Sequence, residues 1–188
     1  MKKIVILFSG EGKNLHNIIE KLHPNVCEVV CAITNKADAK GLNGLQTKSL
    51  QAIKSEVLEH TSFSSREAYD TELVKLIQSY EPDLVVLAGF MRILTSVFTQ
   101  NIKAINLHPA LLPKHKGAKA IEESFGSSDT MGGISVHWVS EELDGGEVIS
   151  QKSFLKSEDE TLESFTRKIK ELEYELLPET ITKILYKL

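Results

Sequence analysis

Only two cysteines, Cys27 and Cys31, occur in the chain, which excludes the dense disulfide framework of a small secreted domain. They flank an alternating valine-rich stretch, and a strand there would hold them too far apart for a single bridge. They read as reduced packing residues of a cytoplasmic protein, and no partners at ligand spacing accompany them to build a metal site. Long apolar runs are missing as well. None approaches a membrane span, and the run Ile4 to Phe8 behind Lys2 and Lys3 is too short for the core of a signal peptide. Nor is there a basic surplus. With 22 Lys and Arg against 26 Asp and Glu, the net charge of -4 excludes a mainly electrostatic grip on nucleic acid or an anionic membrane. No repeat, low-complexity tract or Pro/Gly linker interrupts the chain, so residues 1–188 are expected to form one domain.

What is present is alternation of strand and helix signals. Lys3 to Phe8 is a continuous apolar run that ends in Ser9-Gly10-Glu11-Gly12, as a buried parallel strand would. A helix is expected from about Asn14 to Lys21, with Leu15, Ile18, Ile19 and Leu22 on one face, and a second strand from Cys27 to Thr34. Gly41 to Gln51 is ambiguous, because Gly44 weakens a helix that Leu42, Leu45 and Leu50 would support. Ser64-Ser65-Arg66-Glu67 has the spacing of a capping box, and Tyr69, Leu73, Leu76, Ile77 and Tyr80 follow at helical intervals. Asp83 to Ala88 and Lys103 to Asn106 read as strands. Ile134 to Val139 and Glu147 to Phe154 flank Asp144-Gly145-Gly146 as the arms of a hairpin. A helical pattern then begins near Glu160, and Pro178 is expected to kink or divide it. The fold class that follows is α/β: an open, Rossmann-like, mostly parallel sheet with helices on both faces and a C-terminal antiparallel hairpin.

In such sheets ligands gather beyond the carboxyl ends of the strands, which singles out the turns after Phe8, Ala88 and Asn106. In the first, Gly10 and Gly12 open a helix, so backbone N–H groups and the helix dipole could seat a phosphate; a tight turn with no ligand fits the same residues. It is a poor dinucleotide fingerprint, because Leu15 stands where a third glycine belongs. Asn106 and His108, expected just beyond a strand, suit acyl transfer: the amide can donate to a developing oxyanion and the imidazole can relay a proton. Asp144 on the hairpin turn could favour a charged His108. Each residue also has a structural reading, a hydrogen-bonded strand-end His and a turn-forming Asp among them, and spacing alone does not bring the three together.

Five segments decide between these readings. Asn35-Lys36-Ala37-Asp38-Ala39, Ser65-Arg66-Glu67-Ala68-Tyr69-Asp70, Val86 to Leu94 (with Gly-Phe-Met-Arg-Ile-Leu at its end), Asn106-Leu107-His108-Pro109 and Glu142-Leu143-Asp144-Gly145-Gly146 closely resemble the folate-dependent formyltransferases. Within these, chain length and the Asn35 to Ala39 run resemble the phosphoribosylglycinamide formyltransferase family, over essentially the whole sequence. The resemblance implies transfer of a formyl group from 10-formyltetrahydrofolate to the amine of glycinamide ribonucleotide in purine biosynthesis, with no metal. Asn106 would steady the oxyanion, His108 would donate a proton, and Asp144 would favour the charged imidazole and order a relaying water. The acceptor phosphate would sit at Gly12, Lys13 and Asn14 with its ribose near Glu173. Folate would lie along Arg66, Met91, Arg92, Ile93 and Leu94, Asn106, and the loop of Ser140, Glu141, Glu142, Leu143 and Asp144. The expected partner is thus a small molecule, with no nucleic acid or membrane, and the chain a monomer or homodimer.

Two departures bear on the acceptor. Lys13 replaces a small serine in the glycine turn, and Lys119 stands where the family has a histidine. The alternatives are a formyltransferase acting on methionyl-tRNA or an amino-sugar nucleotide, or a catalytically silent folate- or nucleotide-binding module. The first normally carries a further tRNA-gripping domain, and no basic extension follows before Leu188.

Overall fold

The continuous apolar runs become the centre of a seven-stranded sheet. The computed structural model describes residues 1–45 and 53–188. Its strands are Lys3–Phe8 (β1), Glu28–Thr34 (β2), Lys54–Val57 (β3), Leu84–Leu87 (β4), Ala104–His108 (β5), Met131–Trp138 (β6) and Val148–Leu155 (β7). They lie in the order β3-β2-β1-β4-β5-β6-β7, parallel as far as β5, with β6 and β7 antiparallel. The helices are Lys13–Leu22 (α1), Arg66–Gln78 (α2), Ser96–Thr99 (α3), Ala120–Gly126 (α4) and Leu162–Leu185 (α5).

Alternation along β1 assigns the two faces. Ile4, Ile6 and Phe8 pack with Leu15, Ile18 and Ile19 of α1 and Phe165, Ile169 and Leu177 of α5. Val5 and Leu7 pack on the other face with Tyr69, Leu73 and Ile77 of α2 and Phe98 of α3. Cys27 and Cys31 fall in opposite clusters, both free and buried, and burial pushes each thiol up to about 11. The mostly parallel sheet covered on both faces, with its antiparallel C-terminal arms, is therefore as the sequence leads one to expect.

Several local expectations change. β5 continues past Asn106 to His108, so His108 too is a strand residue and not a loop residue beyond the strand. Ser65, not Ser64, caps α2 by accepting the Ala68 N–H at 3.1 Å. Pro178 does not divide α5 into two helices, and the helix runs on through it. Its missing N–H would orphan the Tyr174 carbonyl, but that oxygen accepts from Asn17 Nδ2 (2.9 Å) and Lys21 Nζ (2.7 Å) of α1. Residues 40–42 form a short 3-10 turn, and the rest of the ambiguous Gly41 to Gln51 stretch, from residue 46, lies outside the described residues. β3, α3 and α4 were not foreseen. β3 carries no apolar face of its own and is made a strand by pairing its residues with Cys31 to Thr34.

Candidate active site

Because β1, β4 and β5 are parallel neighbours, their carboxyl ends bring three segments to one edge of the sheet: the glycine turn, Gly89 to Leu94, and the end of β5. The antiparallel partner β6 adds a fourth, since its register sets His137 opposite Asn106 and Ser135 opposite His108. The chain leaving β6 returns through Asp144, whose φ of +50° is a left-handed conformation that Asp tolerates better than most residues.

Asn106, His108 and Asp144 converge. His108 Nδ1 lies 3.4 Å from Asp144 Oδ2, and Asn106 Nδ2 lies 3.4 Å from Asp144 Oδ1. Both distances are longer than a tight N–H···O bond, so these are close polar contacts with room to shorten. His108 is 3% exposed and Asp144 9%. Burial works to raise the Asp144 carboxyl, but the His137 contact, the Gly117 N–H (2.9 Å) and the charges of His108 and His137 outweigh it and leave it below the usual carboxylate range.

Two residues beyond the expected set touch this cluster. His137 Nδ1 must donate to the Trp138 carbonyl at 2.8 Å, because a carbonyl only accepts. Its Nε2 therefore faces the site, 3.2 Å from Asn106 Nδ2 and 3.5 Å from Asp144 Oδ1. When neutral it accepts the Asn106 amide proton and so orients that amide. The second is His115, whose carbonyl accepts from His108 Nε2 at 2.7 Å. Donation from Nε2 to a substrate thus requires exchange of that partner. The loop that carries it is tied down by His115 and Lys114 to Asp129 (3.0 and 2.6 Å) and by Lys116 to Glu142 (2.7 Å). Alternation of Ser135 and His137 along a predicted strand was the signal available for His137; nothing in the sequence points to a backbone carbonyl.

At the glycine turn Gly12 caps α1 at φ +70°, and a Cβ there would stand 2.6 Å from Gly41 Cα, so only glycine fits. The first N–H groups of α1 have no partner within the helix, which is what an anion seat needs. Lys13 is exposed at the helix start. Asn14 Nδ2 donates to Glu173 Oε2 at 2.9 Å, and Lys170 Nζ holds both Glu173 oxygens at 3.1 and 2.9 Å. Glu173 is only 3% exposed, not one of several solvated helix carboxylates as its sequence context suggests. Asn14 Oδ1 is buried with no hydrogen-bond partner in this structure, which leaves an acceptor beside that carboxylate.

The expected donor-binding residues are presented differently. Met91 and Ile93 are 64% and 53% exposed, and Leu143 across the edge is 49% exposed. Leu94 is half-buried and Arg66 is exposed at the first turn of α2. Arg92 turns away onto α2, its guanidinium 5.2 Å from the centre of the Tyr69 ring. In the Asp144 loop, Ser140 donates to the Glu142 carbonyl at 3.1 Å and Glu141 accepts from Gln100 at 3.1 Å. Among the described residues no group of three or more His, Cys, Asp and Glu is arranged to hold a metal, and no helix is long and apolar enough to cross a membrane.

Comparison with known proteins agrees with this geometry. Residues 2–181 match the family described as formyl transferase. Phosphoribosylglycinamide formyltransferase of Escherichia coli is 40% identical over 184 residues, which is 95% of this chain and 85% of that protein. The Haemophilus influenzae protein of the same name is 38% identical over 182 residues, 95% of this chain and 84% of that one. The crystal structure of phosphoribosylglycinamide formyltransferase from Campylobacter jejuni superimposes with a TM-score of 0.92 at 48% identity, covering 98% of this chain and 97% of that one.

Proposed function

Because the chain belongs to the formyl transferase family, on the branch of the phosphoribosylglycinamide formyltransferases, we propose that it transfers a formyl group from 10-formyltetrahydrofolate to the amine of glycinamide ribonucleotide. The observation that supports this reading most is the convergence of Asn106, His108 and Asp144 at the carboxyl end of β5, on the sheet edge that also carries the Met91 to Leu94 segment after the neighbouring β4 and the glycine turn after β1.

In the proposed reaction the acceptor amine attacks the formyl carbon, a carbon–nitrogen bond forms, and the carbonyl electron pair moves onto oxygen. That oxyanion accepts hydrogen bonds from the Asn106 amide N–H and from the His108 ring N–H once its Nε2 leaves the His115 carbonyl. Collapse breaks the bond to the folate nitrogen, and the proton given up by the amine ends on that nitrogen, with His108 as the carrier. Asp144 remains a carboxylate at neutral pH and places negative charge beside the ring that must carry the extra proton. His137 keeps the Asn106 amide turned into the site.

On the acceptor side, Gly12, Lys13 and Asn14 surround the phosphate, and Glu173, held by Asn14 and Lys170, accepts from ribose hydroxyls. On the donor side, Met91, Ile93 and Leu143 supply apolar surface, and Arg66 supplies charge for a carboxylate. The test is to offer 10-formyltetrahydrofolate with glycinamide ribonucleotide, methionyl-tRNA or an amino-sugar nucleotide and to identify the formylated product. Product from glycinamide ribonucleotide alone is expected. Product only from another amine would refute the acceptor, and donor binding with no product from any would refute catalysis.

A further inference from the structure

Asn35 opens the run Asn-Lys-Ala-Asp-Ala, yet it is 2% exposed and belongs to none of the segments that would touch a ligand. Its partner explains its place. Ser9, 3% exposed at the end of β1, gives its hydroxyl proton to Asn35 Oδ1 at 2.6 Å. A serine hydroxyl has one proton, so its remaining lone pairs must serve the other neighbour, the Met91 N–H at 2.8 Å. Ser9 also donates its own N–H to the Gly89 carbonyl at 3.1 Å. Two bonds from one residue therefore clamp both ends of the bend Gly89 to Met91, where Gly89 turns the chain at φ +78°. The residues that follow Ser9 directly are the glycine turn, itself pinned where Gly41 N–H reaches the Gly10 carbonyl at 3.0 Å.

We infer that Ser9, with its hydroxyl oriented by Asn35, is a positioning residue that fixes the donor-side segment Met91 to Leu94 relative to the acceptor-side glycine turn. This rests on the donor and acceptor sides assigned above. Asn35 Nδ2 is 3.4 Å from His60 Nδ1, too long for a strong bond, so the Ser9 hydroxyl is what sets the amide's orientation and is set by it. Neither residue touches a reacting atom. Their effect reaches donor binding through the path of the Met91 backbone.

The test measures 10-formyltetrahydrofolate affinity, glycinamide ribonucleotide affinity and the single-turnover rate at saturation in each variant. In Ser9→Ala, loss of one net hydrogen bond should weaken donor binding about three- to tenfold, with acceptor affinity and the saturated rate within about twofold. Asn35→Ala should reproduce that pattern. Asn35→Asp keeps an acceptor for the hydroxyl and should restore donor affinity, and the double alanine variant should be no weaker than the weaker single one. If Ser9→Ala does not fold, Ser9→Cys, close in shape but a weak donor and acceptor, is read for the same loss. Wild-type donor affinity in these variants would overturn the inference, as would an equal fall in both affinities and rate. Wild-type protein that binds donor without forming product overturns the proposed reaction instead, and the donor-affinity comparison still decides the role of Ser9.

Discussion

The end of β5 and the exit of β4 lie side by side on one sheet edge but are built on opposite rules. At β5 the polar groups are buried: His108 is 3% exposed and Asp144 9%, each held by partners from other segments. At β4 the apolar groups are outside, with Met91 64% and Ile93 53% exposed. Buried polar groups persist only when paired, and here the pairing fixes their geometry before anything binds. Exposed apolar groups contribute nothing to the core, so their energy is available to a ligand. In the function proposed above, the first region carries the chemistry and the second the donor affinity.

The largest effect should come from His108→Ala. Removing a general acid is expected to lower the single-turnover rate on the order of a hundredfold or more, with donor affinity nearly unchanged. Stopped-flow transfer and equilibrium titration on the same sample check this, and a parallel loss of both would break the division between the two regions.

Asp144→Asn should have the next largest effect, a slower rate together with a changed acid response. The Asp144 carboxyl is lowered in the folded protein: burial raises it, and the His137 contact, the Gly117 N–H and the two histidine charges more than offset that. A folded value below the unfolded one, about 3.9, means the carboxylate contributes stability that is fully present above that pH and lost as pH falls through the folded value. The variant should therefore melt lower than wild type at pH 7, and the gap should narrow below about pH 4. Melting curves across pH measure it; a gap constant with pH would show that the ionised carboxylate is not what stabilises the cluster.

Ile93→Ser sharpens the other side of the comparison and should be the smallest of the three. Covering part of an isoleucine side chain is worth roughly 1–2 kcal/mol, so donor affinity should fall about tenfold with the saturated rate unchanged. A rate loss comparable to that of His108→Ala would mean that the donor segment helps shape the reacting centre.

How much of this was legible in the sequence follows the same divide. β1, α1 and the hairpin arms could be read because a strand or helix with a buried face writes its period into neighbouring residues. β3, with the sequence Lys-Ser-Glu-Val, carries no such period and exists through its pairing with β2. Asn106, His108 and Asp144 could be named, but their meeting depends on the β5–β6 register and on the left-handed backbone at Asp144. His137 enters through that same register. Burial of Glu173 comes from α5 lying against α1, and the His115 carbonyl is a backbone atom with no residue preference to betray it.

The most direct test of formyl transfer follows a labelled formyl carbon through one turnover of the wild-type protein, with 10-formyltetrahydrofolate and glycinamide ribonucleotide both bound. The predicted result is stoichiometric label in a new amide on the acceptor, with tetrahydrofolate released. Label recovered as formate, or left on the donor while both ligands are bound, would contradict it.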